Sequence, residues 1–211
     1  MSLFLAHLVY ALAWLSFGVV HSYLARPAVI ATLKPVFRSA YRLIYNLIAL
    51  IHIGLVFWVG QWAFADAPAL LPDLAGKVLV PAGWAVTAWG LVLLAMAMQG
   101  YDTARFMGTA QIRAAKTGTP LEEDEPLQLS GLHRHVRHPL YSAAFLILWG
   151  MATSWSGLAL AVWGSVYLVI GTWYEERKLI DLYGPVYQRY RQRVPAYIPR
   201  RGRSLAEGEL P

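Results

Sequence analysis

Two polar clusters in the last third of the chain carry the residue types that could do chemistry. The first is Gly131-Leu-His-Arg-His-Val-Arg-His-Pro-Leu-Tyr141. The second is Tyr174-Glu-Glu-Arg-Lys-Leu-Ile-Asp-Leu-Tyr-Gly-Pro-Val-Tyr-Gln-Arg-Tyr190. In the first, Arg137-His138-Pro139-Leu140-Tyr141 reads as a helix start. Proline suits the first helical position, where its missing N–H costs nothing. A helix N-terminus leaves free N–H groups and a partial positive charge, and Arg137 adds a forked donor. A carboxylate or phosphate would be held there. In the second cluster, Glu175 and Glu176 supply negative charge. Adjacent helical residues point ~100° apart, so at most one needs to face a common site. Tyr183, Tyr187 and Tyr190 fall at i, i+4 and i+7 across the break Gly184-Pro185. They offer aromatic surface for stacking on a ligand or for anchoring. Anion donors, a carboxylate and aromatic rings together suit a zwitterionic nucleoside.

Several chemistries are unsupported. No G-x-G-x-x-G follows a strand and no G-x-x-x-x-G-K-[ST] occurs, so nucleotide binding of those types has no basis. The chain has no cysteine, which removes disulfides, thiolate nucleophiles and Cys-ligated metals. His133, His135 and His138 lack the H-E-x-x-H arrangement. His133 and His135 would diverge on a helix, and Arg134 and Arg137 repel a cation. No metal site and no nucleic-acid partner are expected.

The elements that must position these clusters are apolar. Of 211 residues, 57% are hydrophobic and 14% charged, against ~25% charged in a soluble domain. Mean hydropathy is +0.43. The composition points to a lipid environment, and the 9 Trp and 12 Tyr suit interfacial belts. Spans are expected at Leu3–Leu24, Tyr41–Phe64 and Val78–Met98, each about 21–24 residues and enough for a ~30 Å hydrocarbon core. The first reads as a retained helix rather than a signal peptide, since no basic n-region precedes it and no cleavage site is evident. Pro139–Trp155 and Leu158–Tyr174, joined at Ser156-Gly157, read as two shorter spans. Lys and Arg fall 4, 1, 5, 0 and 8 in the successive connections and the tail. By the positive-inside rule this puts the N-terminus outside and the C-terminus and both clusters in the cytoplasm, as in a bacterial inner membrane. The expected fold is all-α and polytopic. Five transmembrane helices form one membrane domain, residues 1–211, with spans 4–5 as a helical hairpin and a cytoplasmic C-terminal helical segment. Three N-terminal spans (1–98) shape substrate access, a cytoplasmic loop follows (99–138), and the hairpin with its C-terminal segment (139–199) forms the pocket.

Some features within this frame have bland readings beside functional ones. Gly150, Gly157, Gly164 and Gly171 would let helix backbones approach closely. His7, His21 and His52 lie in expected spans, where ionisable residues are functional candidates, and His21-Ser22 borders a cytoplasmic loop. Leu121-Glu-Glu-Asp-Glu-Pro126 is a solvated acidic run or a contact for a cationic ligand. Arg200, Arg201 and Arg203 suit anionic lipid headgroups.

The C-terminal pattern, from Leu129 through Arg137-His138-Pro139-Leu140-Tyr141 to Glu175-Glu176, Tyr183-Gly184, Tyr187, Tyr190, Val194-Pro195 and Pro199, resembles the isoprenylcysteine carboxyl methyltransferase family of integral membrane enzymes. The N-terminal half, with His21-Ser22-Tyr-Leu-Ala-Arg26, is more similar to methanethiol S-methyltransferases and NnrU-type membrane proteins. The resemblance implies a methyltransferase that uses S-adenosylmethionine without a Rossmann domain. It places the cofactor against Leu127, Gln128, His133, His138, Pro139, Leu140 and Tyr141, with Glu175 across the hairpin. Arg137 would fix an anionic group, and Glu176 would share with Glu175 the cofactor's hydroxyls or amine. His21 and Tyr187 are the substrate-side candidates. His133 stands where many relatives have Tyr, and Glu125 where a relative may have His. Gly171 stands where prenylcysteine enzymes have Arg, which argues against a prenylcysteine carboxylate. The acceptor is then small or lipophilic, with a small thiol such as methanethiol favoured over a lipid amine. Two other readings remain: a sterol-reductase-like enzyme sharing a related R-H-P-x-Y region and using NADPH, and a haem-handling or assembly factor motivated by the histidines. Membrane lipids are expected partners, and the sequence leaves the oligomeric state open.

Overall fold

Helices account for nearly all of the ordered elements in a computed structural model, which describes residues 1–119, 126–206 and 209. In chain order they are α1 (Leu3–Leu24), α2 (Pro27–Phe37), α3 (Tyr41–Ala63), α4 (Asp73–Met98), α5 (Thr103–Met107), α6 (Thr109–Thr117), α7 (Pro139–Gly150), α8 (Trp155–Tyr183) and α9 (Pro185–Arg193). Short 3-10 turns lie at Arg38–Ala40 and Gly131–Arg134. No strand is named among the described residues. The chain divides into two compact units.

The first unit joins Met1–Pro68 to the stretch beginning at Tyr101. Ser2 caps α1, accepting from the Leu5 N–H at 3.3 Å. Pro27 takes the first position of α2, where a missing N–H is harmless. Helix α1 packs on α3, with Tyr10, Trp14 and Phe17 buried. A Cβ on Gly60 would come within 2.8 Å of the Tyr10 ring, so glycine there admits the tyrosine. Asp102 caps α5 through the Arg105 N–H at 3.0 Å. Gly108 links α5 to α6 with φ +94°, and a Cβ there would meet the Leu43 backbone nitrogen at 2.5 Å. The Asn46 amide donates to the Phe106 carbonyl at 2.9 Å. Two short helices are thereby pinned to α3.

The second unit joins Ala69–Gly100 to the chain from Pro126 onward. Helix α4 packs on α7 through small residues. A Cβ on Gly90 would meet Ile147 at 2.8 Å, and one on Gly150 would meet the Thr87 nitrogen at 2.6 Å and the Gly83 carbonyl at 2.7 Å. Ser154 caps α8 by accepting from the Gly157 N–H at 3.1 Å. Gly184, with φ +58°, breaks α8 from α9, as the Gly-Pro pair leads one to expect.

Among the described residues four helical stretches are long and apolar enough to cross a membrane: Leu3–Leu24, Pro27–Ala63, Asp73–Met98 and Trp155–Tyr183. The expected fourth span is the difference. Helix α7 has 12 residues and ends at Gly150, about 18 Å of helix against the ~20 residues that a crossing takes. Its cap nitrogen bonds back to Ile147 and Trp149, and the hairpin turn then falls at 151–154 rather than at Ser156-Gly157. Helix α8 runs on to Tyr183 instead of ending at Tyr174, because Glu, Arg, Lys and Leu are strong helix formers that need no lipid. The connection 99–138 holds α5 and α6, where an Ala-rich run between good caps folds locally. The acidic residues expected to contact a ligand, Glu125 among them, lie outside the described residues.

Candidate functional site

The second unit assembles its polar cluster on a backbone scaffold. The Arg137 N–H donates to the Pro195 carbonyl at 2.9 Å and the His138 N–H to the Ala196 carbonyl at 3.0 Å. The Leu205 N–H donates to the Arg134 carbonyl at 3.0 Å, and Arg134 Nε returns a 3.0 Å bond to the Leu205 carbonyl. The Tyr190 hydroxyl donates to the His133 carbonyl at 2.6 Å. Beneath these bonds Tyr187, Tyr190, Val194 and Leu205 form a core, with Leu127, Leu129, Leu179, Ile180 and Tyr183 packed against it. The tail thus straps the 131–138 loop onto α8 and α9.

Charged side chains close over this scaffold. Arg137 Nε donates to Glu176 Oε1 at 2.8 Å and Nη2 to the same oxygen at 2.5 Å. Its Nη1 serves the Arg191 carbonyl at 3.1 Å and also the Val194 carbonyl. Arg191 Nε reaches Glu176 Oε2 at 2.8 Å. His138 Nε2 lies 3.1 Å from Glu176 Oε1, and Nδ1 lies 3.6 Å from Glu175 Oε2. Glu176 is 8% exposed at its side chain and Arg137 10%, whereas Glu175 is 44% exposed. The two adjacent carboxylates therefore face one histidine from opposite environments. Glu176 is sealed among three cationic or donor groups; Glu175 stays open.

Aromatic rings line the open side. His138 stacks on Tyr141 with ring centroids 5.5 Å apart and planes 12° from parallel. The Glu175 carboxylate lies close enough to the Tyr141 hydroxyl to act on it electrostatically. Tyr197 leans on His138 at 6.1 Å and on Phe145 at 5.0 Å, held by the Ser142 hydroxyl donating to its carbonyl at 2.7 Å. A Cβ on Gly171 would stand 3.9 Å from the Tyr141 hydroxyl, so the absent arginine leaves open space beside this ring. Helix α7 has no side-chain N-cap, which leaves its first N–H groups available to an anion.

Burial sets the protonation of the surrounding groups. Desolvation pushes the His133 imidazole down to about 4, with a bond donated to the Arg137 backbone carbonyl opposing the effect and nearby His138 adding to it. His133 is therefore neutral at pH 7. Burial also raises the Tyr187 hydroxyl, an effect that Glu176 strengthens and Arg137 weakens. The Tyr197 hydroxyl moves up by burial too.

Of the residues singled out in the sequence, Arg137, His138, Pro139, Leu140, Tyr141, Glu175 and Glu176 lie at the mouth of the α7–α8 hairpin, and His133 sits in the adjoining loop. Leu127 packs on the C-terminal core. Gln128 donates to the Ser130 hydroxyl at 3.1 Å. Tyr187 is 1% exposed and is placed in that core rather than at an open surface. His21 belongs to the first unit, where its Nε2 and the Tyr45 hydroxyl share a 2.6 Å hydrogen bond. His52 meets Ser16 at 3.0 Å in the same unit. Sequence reasoning missed Arg191, Ser142 and Tyr197. A signal existed for the first: a carboxylate buried with one arginine invites a second, and Arg191 lies one turn beyond Tyr187. Tyr197 had none, because only the strap brings it back to His138.

No protein-family model matches the chain, and no solved structure matches it. Curated relatives do. Methanethiol S-methyltransferase 2 of Bradyrhizobium diazoefficiens is 32% identical over 191 residues, covering 87% of this chain and 70% of the relative. Methanethiol S-methyltransferase of Pseudomonas deceptionensis is 28% identical over 92% of this chain and 73% of its own length. That of Mycobacterium tuberculosis is 30% identical, with 76% and 64% covered. A cluster built from the Arg137–Tyr141 and Glu175–Glu176 motifs, on a chain matched along most of its length by such enzymes, identifies a methyltransferase that belongs to the methanethiol S-methyltransferase family.

Proposed function

We propose that this chain methylates a small thiol, methanethiol first among the candidates, using S-adenosylmethionine as donor at the open side of the second unit's cluster. The observation that carries the reading is the unequal burial of Glu175 and Glu176 around His138. One carboxylate is committed to the scaffold and the other is presented to a ligand.

The residues present fit that donor. The uncapped start of α7 at Pro139, Leu140 and Tyr141 suits its carboxylate. Glu175 suits its amine or ribose hydroxyls. Tyr141, half-buried and backed by His138, offers ring surface, and neutral His133 adds no repulsion to a cation. When bound, S-adenosylmethionine supplies a methyl group on positively charged sulfur. The protein's part is to align and desolvate the partners. Arg137 acts here by holding Glu176, and so the loop and His138, in place. Charge is neutralised when a thiolate attacks a sulfonium, so an apolar surrounding favours the step. The thiol would lose its proton to solvent to become that thiolate, and the donor's methyl–sulfur bond would break as the new sulfur–carbon bond formed. Leu127 and Gln128 brace the pocket edge, Tyr187 supports Arg137 from the core, and His21 remains the substrate-side candidate of the first unit. The same reading places the chain in a bacterial-type inner membrane with its Arg-rich cluster and tail in the cytoplasm, as the positive-inside bias supports.

Incubation of the purified full chain with labelled S-adenosylmethionine and a panel of methanethiol, longer thiols, prenylcysteines and lipid amines tests the acceptor. Label should appear in dimethyl sulfide when methanethiol is supplied. Transfer to prenylcysteine or lipid amine alone would overturn the thiol reading.

A further inference from the structure

Helix α9 presents two faces with different duties. Arg191 turns inward to Glu176. Arg189 and Arg193, spaced i and i+4 on one helix face, turn to an open groove of about 450 Å³ that Gln192, Gly202 and Arg203 complete. Arg203 is fixed there by donating to the Gln192 carbonyl. Gly202 adopts φ +72°, which lets the tail fold back toward α9. Among the described residues Arg189 takes part in no ion pair. The groove already holds one anion of the chain itself: Glu209 meets Arg193 Nη1 at 2.5 Å and accepts from the Ala206 N–H at 2.9 Å.

From this geometry we infer an anion site in the α9 groove that takes a phosphate group, offered by the headgroup of an anionic lipid, with Glu209 as an internal competitor. Three guanidiniums lining one groove match the forked geometry of a phosphate. A single carboxylate on Arg193 leaves Arg189 and Arg203 to bind more. The Arg193–Glu209 pair is 54% and 29% exposed at its side chains, and exposed ion pairs are weak and salt-screened, so an incoming phosphate can displace Glu209. Lipid is the indicated source because apolar residues beside α9 are open as well: Ile198 is 73% exposed, Leu182 42% and Val186 37%. Basic groups beside exposed aliphatic side chains are the pattern of a segment at a headgroup boundary. The site is separate from the Glu175–His138 cluster, so the inference stands whether or not the acceptor is a thiol.

Thermal unfolding of the detergent-purified full chain tests it, with short-chain phosphatidylglycerol, phosphatidylcholine and inorganic phosphate as separate additions. Phosphatidylglycerol should raise the midpoint by ~3 °C at saturation, and phosphatidylcholine should not. Arg189→Gln should abolish the rise, and Arg189→Lys should leave part of it. Glu209→Gln should lower the phosphatidylglycerol concentration at half effect severalfold. A matching rise with inorganic phosphate alone would support the site and identify a soluble oxyanion as its source. Equal rises with both lipids, no rise with either anion, or a rise unchanged in Arg189→Gln would overturn it. An unchanged half-effect concentration in Glu209→Gln would overturn the competitor role.

Discussion

Glu175 and Glu176 share a peptide bond and little else. Glu176 is bound by Arg137, Arg191 and His138 and nearly sealed from solvent; removing its charge strands two guanidiniums. Glu176→Gln should cost about 3 kcal/mol, the low end for breaking a buried pair, and lower the unfolding midpoint clearly. Glu175→Gln should leave the midpoint within about 1 °C and weaken donor binding about tenfold, as the loss of one charged hydrogen bond predicts. Calorimetry and thermal unfolding on the same two variants separate these effects. His133 gives a second test. Its folded value of about 4 lies below the ordinary 6.5. Between those values the unfolded chain binds a proton that the folded chain does not, so stability is lost as pH falls from about 6.5 to about 4. The loss is at most about 1.4 kcal/mol per pH unit. His133→Gln should flatten the dependence of the midpoint over that range. At this scale the sequence was legible in types: Arg137, His138 and the glutamate pair could be picked out. Their division of labour was not, because it depends on Arg191 and on carbonyls of the 191–196 strap that no local spacing indicates.

Among the elements, the short α7 matters most. It starts at Pro139 and is gripped by α4 through Gly83, Thr87, Gly90 and Gly150, where backbones approach too closely for a side chain. Gly150→Ala should therefore destabilise the chain by ~1–3 kcal/mol, as overpacking does. Gly76→Ala in the same α4, where nothing stands within 4 Å of the new Cβ, should be neutral or stabilising by up to ~1 kcal/mol through helix propensity. Unfolding midpoints of the two variants check the contrast. Apolar runs and proline and glycine breaks made α1, α3 and the start of α7 readable in advance. They did not place the hairpin turn at 151–154, where the Ser154 cap starts α8 and the close contact of Gly150 with α4 sits at the end of α7. They also hid α5 and α6, whose caps matter more than their hydropathy.

For the whole molecule, the fold separates an apolar scaffold from a polar cluster that the tail completes. Among the described residues four stretches suit a bilayer, and the cluster draws its residues from the loop before α7 and the start of that helix, the last third of α8, the end of α9 and the strap that follows. Relatives named as methanethiol S-methyltransferases match most of the chain, in keeping with a site formed by elements far apart in sequence. In the function proposed above, the open carboxylate Glu175, beside His138 and Tyr141, receives the methyl donor. Calorimetric titration of the full chain in detergent with S-adenosylmethionine, with NADPH as the comparison ligand, tests it most directly. One saturable S-adenosylmethionine site is expected, weakened about tenfold in Glu175→Gln, with no heat from NADPH. Undiminished S-adenosylmethionine affinity in Glu175→Gln, or binding of NADPH alone, would contradict it.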